Sequence, residues 1–221
     1  MEITPVINCA DFDCVKIRLR IAEEILCSDQ LVSVGGWVHL DIADGSFTNG
    51  YSTWRNSSDL KKIRLSERIR LGVHIMSSEP EFLVREWLEA GADRIIIHIE
   101  PSVAVDAVVN MCEAHNAECW LAVTPDTPAE KLFPYLELVK GCQVLAVHPG
   151  LPRQQLEPGT IEKIQAIRAA FPNLPIEVDG GVTLETAPKL SAAGATQLAA
   201  GSIIFEADNP VSIYHQLREV V

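Results

Sequence analysis

Trp37-Val38-His39-Leu40-Asp41-Ile42-Ala43-Asp44-Gly45 reads as a short strand running into a tight turn. Side chains at i and i+2 of a strand share a face. His39 and Asp41 therefore project side by side, while Val38, Leu40 and Ile42 face the other way. Two further stretches answer this one: Gly72-Val73-His74-Ile75-Met76 and Ile176-Glu177-Val178-Asp179-Gly180-Gly181. Each is apolar and carries a histidine or carboxylate at its end. Where three such strand ends meet, two His and two Asp form a compact cluster competent for a metal, with two carboxylates at hand for proton transfer.

Outward from these stretches the chain alternates regularly. An apolar strand over residues 3–8 precedes Asp11, a helix cap, and a helix whose Val15, Leu19, Ala22 and Leu26 repeat at helical spacing. After the quoted strand, residues 46–58 are polar and rich in Ser and Asn, yet hold Phe47, Tyr51 and Trp54. A connection of that length in a compact domain is usually functional, and three aromatics point to a packed lid. Strands over 70–76, 94–98, 119–123, 143–147, 176–179 and 197–200 then alternate with helices over 80–90, 104–115, 128–138, 158–171 and 185–193, a short turn over 203–205 and a last helix from Pro210. The strands are continuous Val, Ile, Leu and Ala runs, as expected where helices cover a parallel sheet. Eight such units predict an α/β chain folded as one (β/α)8 TIM barrel over residues 1–221. An open doubly wound sheet fits less well, because no Gly-x-Gly-x-x-Gly follows the first strand.

The chain has 221 residues, 48% hydrophobic and 22% charged, with a net charge of −12. An acidic chain argues against nucleic acid as a partner, and a small anionic substrate then needs a local positive site. No run approaches the roughly 18 apolar residues of a membrane span, and no basic segment precedes an apolar run at the amino terminus, so the cytoplasm is the default expectation. Six cysteines (Cys9, Cys14, Cys27, Cys112, Cys119, Cys142) are scattered without a Cys-x-x-Cys pair. That pattern predicts free buried thiols rather than a disulfide frame, with Cys9 singled out by its place at a strand end.

Active sites of such barrels lie at the C-terminal ends of the strands. His39, Asp41, His74, His98, Glu100, His148 and Asp179 all fall at such ends. A lone histidine there is most often structural, the reading preferred for His98 and His148. Two His and two Asp on three strand ends suit one divalent zinc, iron, manganese or cobalt ion with positions left open for substrate oxygens. Gly180, Gly181, Gly201 and Ser202 follow the seventh and eighth strands, where barrels frequently hold phosphate.

In its ordered motifs the chain resembles the ribulose-phosphate 3-epimerase family over nearly its whole length. They are Pro5 with Ala10-Asp11-Phe12, His39-x-Asp41-x-x-Asp44-Gly45-x-Phe47, Val73-His74-x-Met76 and Ala90-Gly91-Ala92-Asp93. His98-x-Glu100, Pro149-Gly150, Glu177-Val178-Asp179-Gly180-Gly181 and Ala200-Gly201-Ser202-Ile203-Ile204-Phe205 follow. The resemblance implies a barrel of the ribulose-phosphate-binding type. It also implies metal ligation by His39, Asp41, His74 and Asp179, and acid and base roles for Asp41 and Asp179 on opposite faces of the substrate carbon. Epimerisation beside a ketone needs one group to remove a proton and another to return it, with the metal stabilising the enediolate oxygens between. The implied substrate is a small phosphorylated ketose, ribulose 5-phosphate and xylulose 5-phosphate being the nearest pair. The implied assembly is a homo-oligomer, dimer or hexamer.

The departures concern the substrate envelope. Cys9 stands where the family usually has Ser, and Ala43 and Leu145 stand where it has Met; these positions line the channel or cap the metal site. The loop after the sixth strand is His148-Pro149-Gly150-Leu151-Pro152-Arg153-Gln154. Pro152 removes a backbone donor, while Arg153 either supplies a fork of donors to an anion or points to solvent. Met76, His148, Gly150 and Arg153 join the candidate substrate contacts. A hexulose 6-phosphate epimerase is the near alternative, and a non-catalytic sugar-phosphate-binding barrel a further one. A barrel aldolase or decarboxylase fits less well, because the seven lysines fall in predicted helices or their flanks and none stands at position 43.

Overall fold

The computed structural model describes residues 1–28, 36–67, 69–150 and 153–221. Among these, eight strands close a parallel barrel in chain order: β1 (Glu2–Ile7), β2 (Gly36–Ala43), β3 (Ile69–Met76), β4 (Arg94–His98), β5 (Glu118–Val123), β6 (Gly141–Leu145), β7 (Ile176–Asp179) and β8 (Gln197–Ala200). The helices are α1 (Phe12–Ser28), α2 (Glu81–Glu89), α3 (Val105–Ala114), α4 (Thr160–Ala170), α5 (Ala187–Ala193), α6 (Ser202–Phe205) and α7 (Pro210–Glu219). No helix among the described residues is long and apolar enough to cross a membrane.

The strand pattern explains both faces of the barrel wall. In β4, Ile95 and Ile97 point outward into the shell shared with the helices, whereas Ile96 points inward and packs with Trp120 and Ala122. Both faces are dry, so the strands read as continuous apolar runs. Parallel register places Asp41 beside His74 across β2 and β3, and Leu145 beside Asp179 across β6 and β7. The strand ends that carry polar groups are thereby brought level at one mouth of the barrel.

The opposite end is closed by a cation between aromatic rings. The Arg94 guanidinium lies 3.7 Å from the Trp37 ring centroid and 3.8 Å from that of Trp120. Its Nε donates to Glu118 at 3.0 Å and its Nη1 to Gln197 at 3.0 Å. The Trp120 indole lies flat across β6, where a Cβ on Gly141 would come within 2.6 Å of the ring, so only glycine fits there.

Two expectations need correction. Residues 128–138 form two short 3-10 turns, Ala129–Lys131 and Phe133–Tyr135, instead of a helix. Pro134 has no N–H to continue a helical ladder, and the segment breaks around it. The cysteines are not all free thiols: Cys9 and Cys14 form a disulfide with Cα atoms 5.8 Å apart. The turn from the end of β1 into the first turn of α1 brings these two together, a proximity that their spacing alone does not announce. Cys112, Cys119 and Cys142 are free and buried as expected, whereas Cys27 is exposed. The expectation that Pro152 removes a backbone donor falls outside the described residues.

Residues 46–58 do pack. Trp54 stacks on Phe12 at 5.2 Å and meets Trp87 edge-on at 5.7 Å. Phe47 lies 4.6 Å from the His98 ring, and Asp44 and Ser52 form an antiparallel bridge.

Arg94→Ala leaves Gln197 without its donor, the buried Glu177 without the cation 4.0 Å away, Glu118 with only the Trp120 indole N–H, and two indoles without the charge between them. Urea unfolding is expected to give a stability lower by about 3 kcal/mol, the usual cost of breaking a buried charge pair from one side.

Candidate active site

The strand alternation that makes β2 and β3 also aims their polar groups. His39, Asp41, His74 and Asp179 are all buried, and one ligand-type atom from each falls within 4.8 Å of all the others. Asp41 Oδ1 is 3.2 Å from His39 Nε2 and 3.2 Å from His74 Nδ1. Asp179 Oδ2 approaches the same His74 nitrogen at 3.5 Å. Two imidazole nitrogens and two carboxylates converging in one buried cluster are a donor set that fits a divalent transition ion, and the two buried carboxylates would welcome its charge.

Each of these groups is held from behind. His39 Nδ1 lies 3.3 Å from Glu177, which also accepts from Gln143 Nε2 at 3.1 Å. Asp41 Oδ2 accepts from Asn8 Nδ2 at 2.9 Å, and Asn8 Oδ1 accepts the Tyr51 hydroxyl at 2.5 Å. His74 Nε2 sits 2.8 Å from His98 Nε2, and His98 Nδ1 lies 3.1 Å from Glu100. His98 is thus a structural partner of the cluster, as expected, while Glu100 takes the Thr124 N–H and hydroxyl at 2.7 and 2.8 Å.

The electrostatics separate the two central carboxylates. Burial pushes both upward, but hydrogen bonds from His39 and His74 outweigh it at Asp41 and hold that carboxyl far below its ordinary value. At Asp179 burial prevails, and the nearby Asp41 charge adds to it, so its pKa is raised. Burial opposes protonation of His39, yet its bonds to Asp41 and Glu177 raise it well above the ordinary imidazole value.

A cavity of about 420 Å³ opens above the cluster. Asp41, Met76, Leu145, His148, Gly150, Arg153, Asp179, Gly180, Gly181, Gly201 and Ser202 line it, together with Asn8, Arg18 and Glu206. The expected substrate contacts are therefore brought together, except Cys9. That residue lies beyond the end of β1, turned to Cys14, and the inward position two residues after Val6 belongs to Asn8. His148 stands half-exposed at the rim, 3.5 Å from Asp126 and 3.7 Å from Glu157. Gly181 has φ +65°, and a Cβ there would lie 2.8 Å from the Leu156 nitrogen, so this turn accepts only glycine.

Of the alternatives for Arg153, the structure takes neither in pure form. Its Nε and Nη2 form a fork on the Glu206 carboxylate at 2.9 and 2.8 Å. Arg18, which the sequence reading did not single out, also lines the cavity. It donates to the Asn8 carbonyl at 3.0 Å and lies over Phe205 at 5.2 Å. Period-2 alternation along β1 and β7 was signal enough for Asn8 and Glu177. Arg18 sits on a helix, and nothing in its spacing points to the barrel mouth.

Glu100 couples the site to acid stability. Burial alone would raise its carboxyl, but the bonds from His98 and Thr124 hold it at about 2, below the ordinary 4.5. The folded chain then binds fewer protons than the unfolded chain, so this contribution is complete above pH 4.5 and is lost as pH falls through 2. Urea unfolding of the metal-free protein is expected to lose on the order of 2 kcal/mol from this group over that window, a loss that Glu100→Gln removes.

Known proteins place this geometry in context. A profile of the ribulose-phosphate 3 epimerase family matches residues 4–205. The chain is 32% identical over 199 residues to the ribulose-phosphate 3-epimerase, cytoplasmic isoform, of Oryza sativa subsp. japonica, across 88% of this chain and 86% of that one. It is 30% identical to the ribulose-phosphate 3-epimerase of Eremothecium gossypii, across 93% of this chain and 94% of the other. Among solved structures, 3-hexulose-6-phosphate synthase from Salmonella typhimurium has a TM-score of 0.70 at 12% identity, over 100% of this chain and 98% of that one. Orotidine 5'-phosphate decarboxylase from Pyrococcus horikoshii OT3 has a TM-score of 0.66 at 16% identity, over 98% and 99% of the two chains. These structures share the fold alone. The profile spans most of the barrel, and both relatives align along most of their own length: the chain belongs to the ribulose-phosphate 3-epimerase family of isomerases.

Proposed function

We propose that this protein interconverts D-ribulose 5-phosphate and D-xylulose 5-phosphate by proton transfer at C3, with Asp41 and Asp179 as the two proton-handling groups. One observation carries the reading: both carboxylates line the cavity, and both belong to the buried quartet with His39 and His74. Inversion beside a ketone needs a base on one face of the carbon and an acid on the other. Two carboxyls whose surroundings drive their proton affinities apart suit that division of labour. One carboxylate takes the C3 proton, C3–H bond electrons move into the C2–C3 unit, and the other carboxyl delivers a proton to the opposite face. His39, Asp41, His74 and Asp179 would hold a divalent ion, which supplies Lewis-acid stabilisation of the negative charge on the substrate oxygens.

The far end of the cavity suits the phosphate. Arg153 has its fork occupied by Glu206, so Arg18 is the guanidinium whose charge serves the anion, beside Gly180, Gly181, Gly201 and Ser202. A Schiff-base aldolase reading lacks its nucleophile: no lysine lines the cavity among the described residues, and Lys163 is capped by the carbonyls of Thr124, Pro125 and Thr127.

The decisive experiment is proton NMR of ribulose 5-phosphate in heavy water with metal-analysed protein, run beside a hexulose 6-phosphate. Loss of the C3 proton signal with xylulose 5-phosphate appearing supports the proposal. Exchange confined to the hexulose moves the substrate, and exchange with neither overturns the reaction. Asp179→Asn is expected to lower turnover about 10³-fold with the fold intact, and near-normal turnover would remove Asp179 from the chemistry. Arg18→Gln should raise KM for the phosphorylated substrate about 10-fold to 100-fold at little cost in kcat, the signature of a lost charge-assisted contact made equally in ground and transition states.

A further inference from the structure

Both imidazoles that face the carboxylate pair have their second nitrogen engaged, but by unlike groups. His39 Nδ1 faces the Glu177 carboxylate, an unambiguous acceptor. His74 Nε2 instead faces the Nε2 of another imidazole, His98, at 2.8 Å. A hydrogen bond between two ring nitrogens holds one proton, so one ring donates and the other accepts. Which ring donates is settled one residue further out.

Thr124 directs its N–H and its hydroxyl onto Glu100 Oε1 at 2.7 and 2.8 Å, which fixes the carboxylate in orientation. The other oxygen, Oε2, lies 3.1 Å from His98 Nδ1. An ionised carboxylate only accepts, so Nδ1 of His98 carries the ring proton. In a neutral ring that leaves Nε2 of His98 bare. The proton of the 2.8 Å contact then belongs to His74 Nε2, and the Nδ1 proton that His74 gives to Asp41 in the metal-free protein is the one a cation displaces. His74 Nδ1 is the nitrogen 3.2 Å from Asp41 and 3.5 Å from Asp179. His98 is fully buried under Phe47, so water does not compete for these positions.

We infer that Glu100, acting through His98, sets the tautomer of His74 and so presents His74 Nδ1 to the cation site. Neither Glu100 nor His98 lines the cavity; they are positioning residues. The consequence for metal binding rests on the quartet proposed above, whereas the proton arrangement does not.

Glu100→Gln makes the test sharp. With two Thr124 donors aimed at one terminal oxygen, the amide carbonyl takes that place and the NH2 group turns to His98 Nδ1. His98 must then accept at Nδ1 and carry its proton on Nε2. His74 Nε2 becomes the acceptor, the ring's remaining proton sits on Nδ1, and a cation can take that nitrogen only at the cost of the ring-to-ring hydrogen bond. Cobalt(II) affinity, by chelator competition and the visible spectrum of the bound ion, is expected to fall about 10-fold to 100-fold in Glu100→Gln. Imidazole nitrogen NMR should show the His98 proton on Nδ1 in the parent protein and on Nε2 in the variant. His98→Phe removes the intermediary, so Glu100→Gln added to it should change cobalt affinity no further.

Wild-type cobalt affinity in Glu100→Gln, a bare His98 Nδ1 in the parent, or a full additional loss in the double variant overturns the inference. If the parent protein binds no cobalt at all, the proposed metal-assisted reaction falls. The NMR proton positions then decide this inference by themselves.

Discussion

Two carboxylates buried side by side at the mouth of the barrel are the constraint on which the site depends. Removing an ionised carboxylate from water costs several kcal/mol, and a second like charge close by adds to that. Asp41 and Asp179 are tolerated because His39 and His74 stand between them and because the site fits a cation. The imidazoles need support in turn, since each must point one particular nitrogen inward. Glu177, Asn8, His98 and Glu100 are therefore consequences of the first two burials rather than independent features.

In the proposed reading, proton handling and anion binding occupy different ends of one cavity. The quartet sits at the closed end of the cavity, on β2, β3 and β7. The guanidiniums of Arg18 and Arg153 approach the loops that follow β6, β7 and β8, and Glu206 neutralises Arg153. In a chain of net charge −12, a compact positive feature inside an acidic surface would, on the proposed function, favour an anionic sugar at this end of the cavity. The segment over residues 46–58 joins the two ends. Its Tyr51 reaches Asn8 behind Asp41, and its Phe47 covers His98.

The other end of the barrel carries stability without touching chemistry. Arg94 between two indoles closes it, and Ile96, Trp120 and Ala122 fill the interior above. That division lets the mouth hold buried charge, an arrangement that would be costly without a rigid wall beneath it.

Much of this was legible in the chain before any folding. Alternation put His39 beside Asp41, apolar runs between helical periods counted out eight units, and position at strand ends marked Asp41, His148 and Asp179, which line the cavity. These are local rules of period two and 3.6, and a linear text carries them. What the tertiary structure alone decided depends on which distant segments touch. The pairing of Cys9 with Cys14 follows from the angle at which α1 leaves β1. The capture of Arg153 by Glu206 joins loops far apart in sequence, and the aim of Arg18 follows from the seating of a helix. The contact between the rings of His74 and His98 is set by barrel curvature across two strands. Spacing along a chain has no term for closure of a sheet, so such partners become visible only when the barrel shuts.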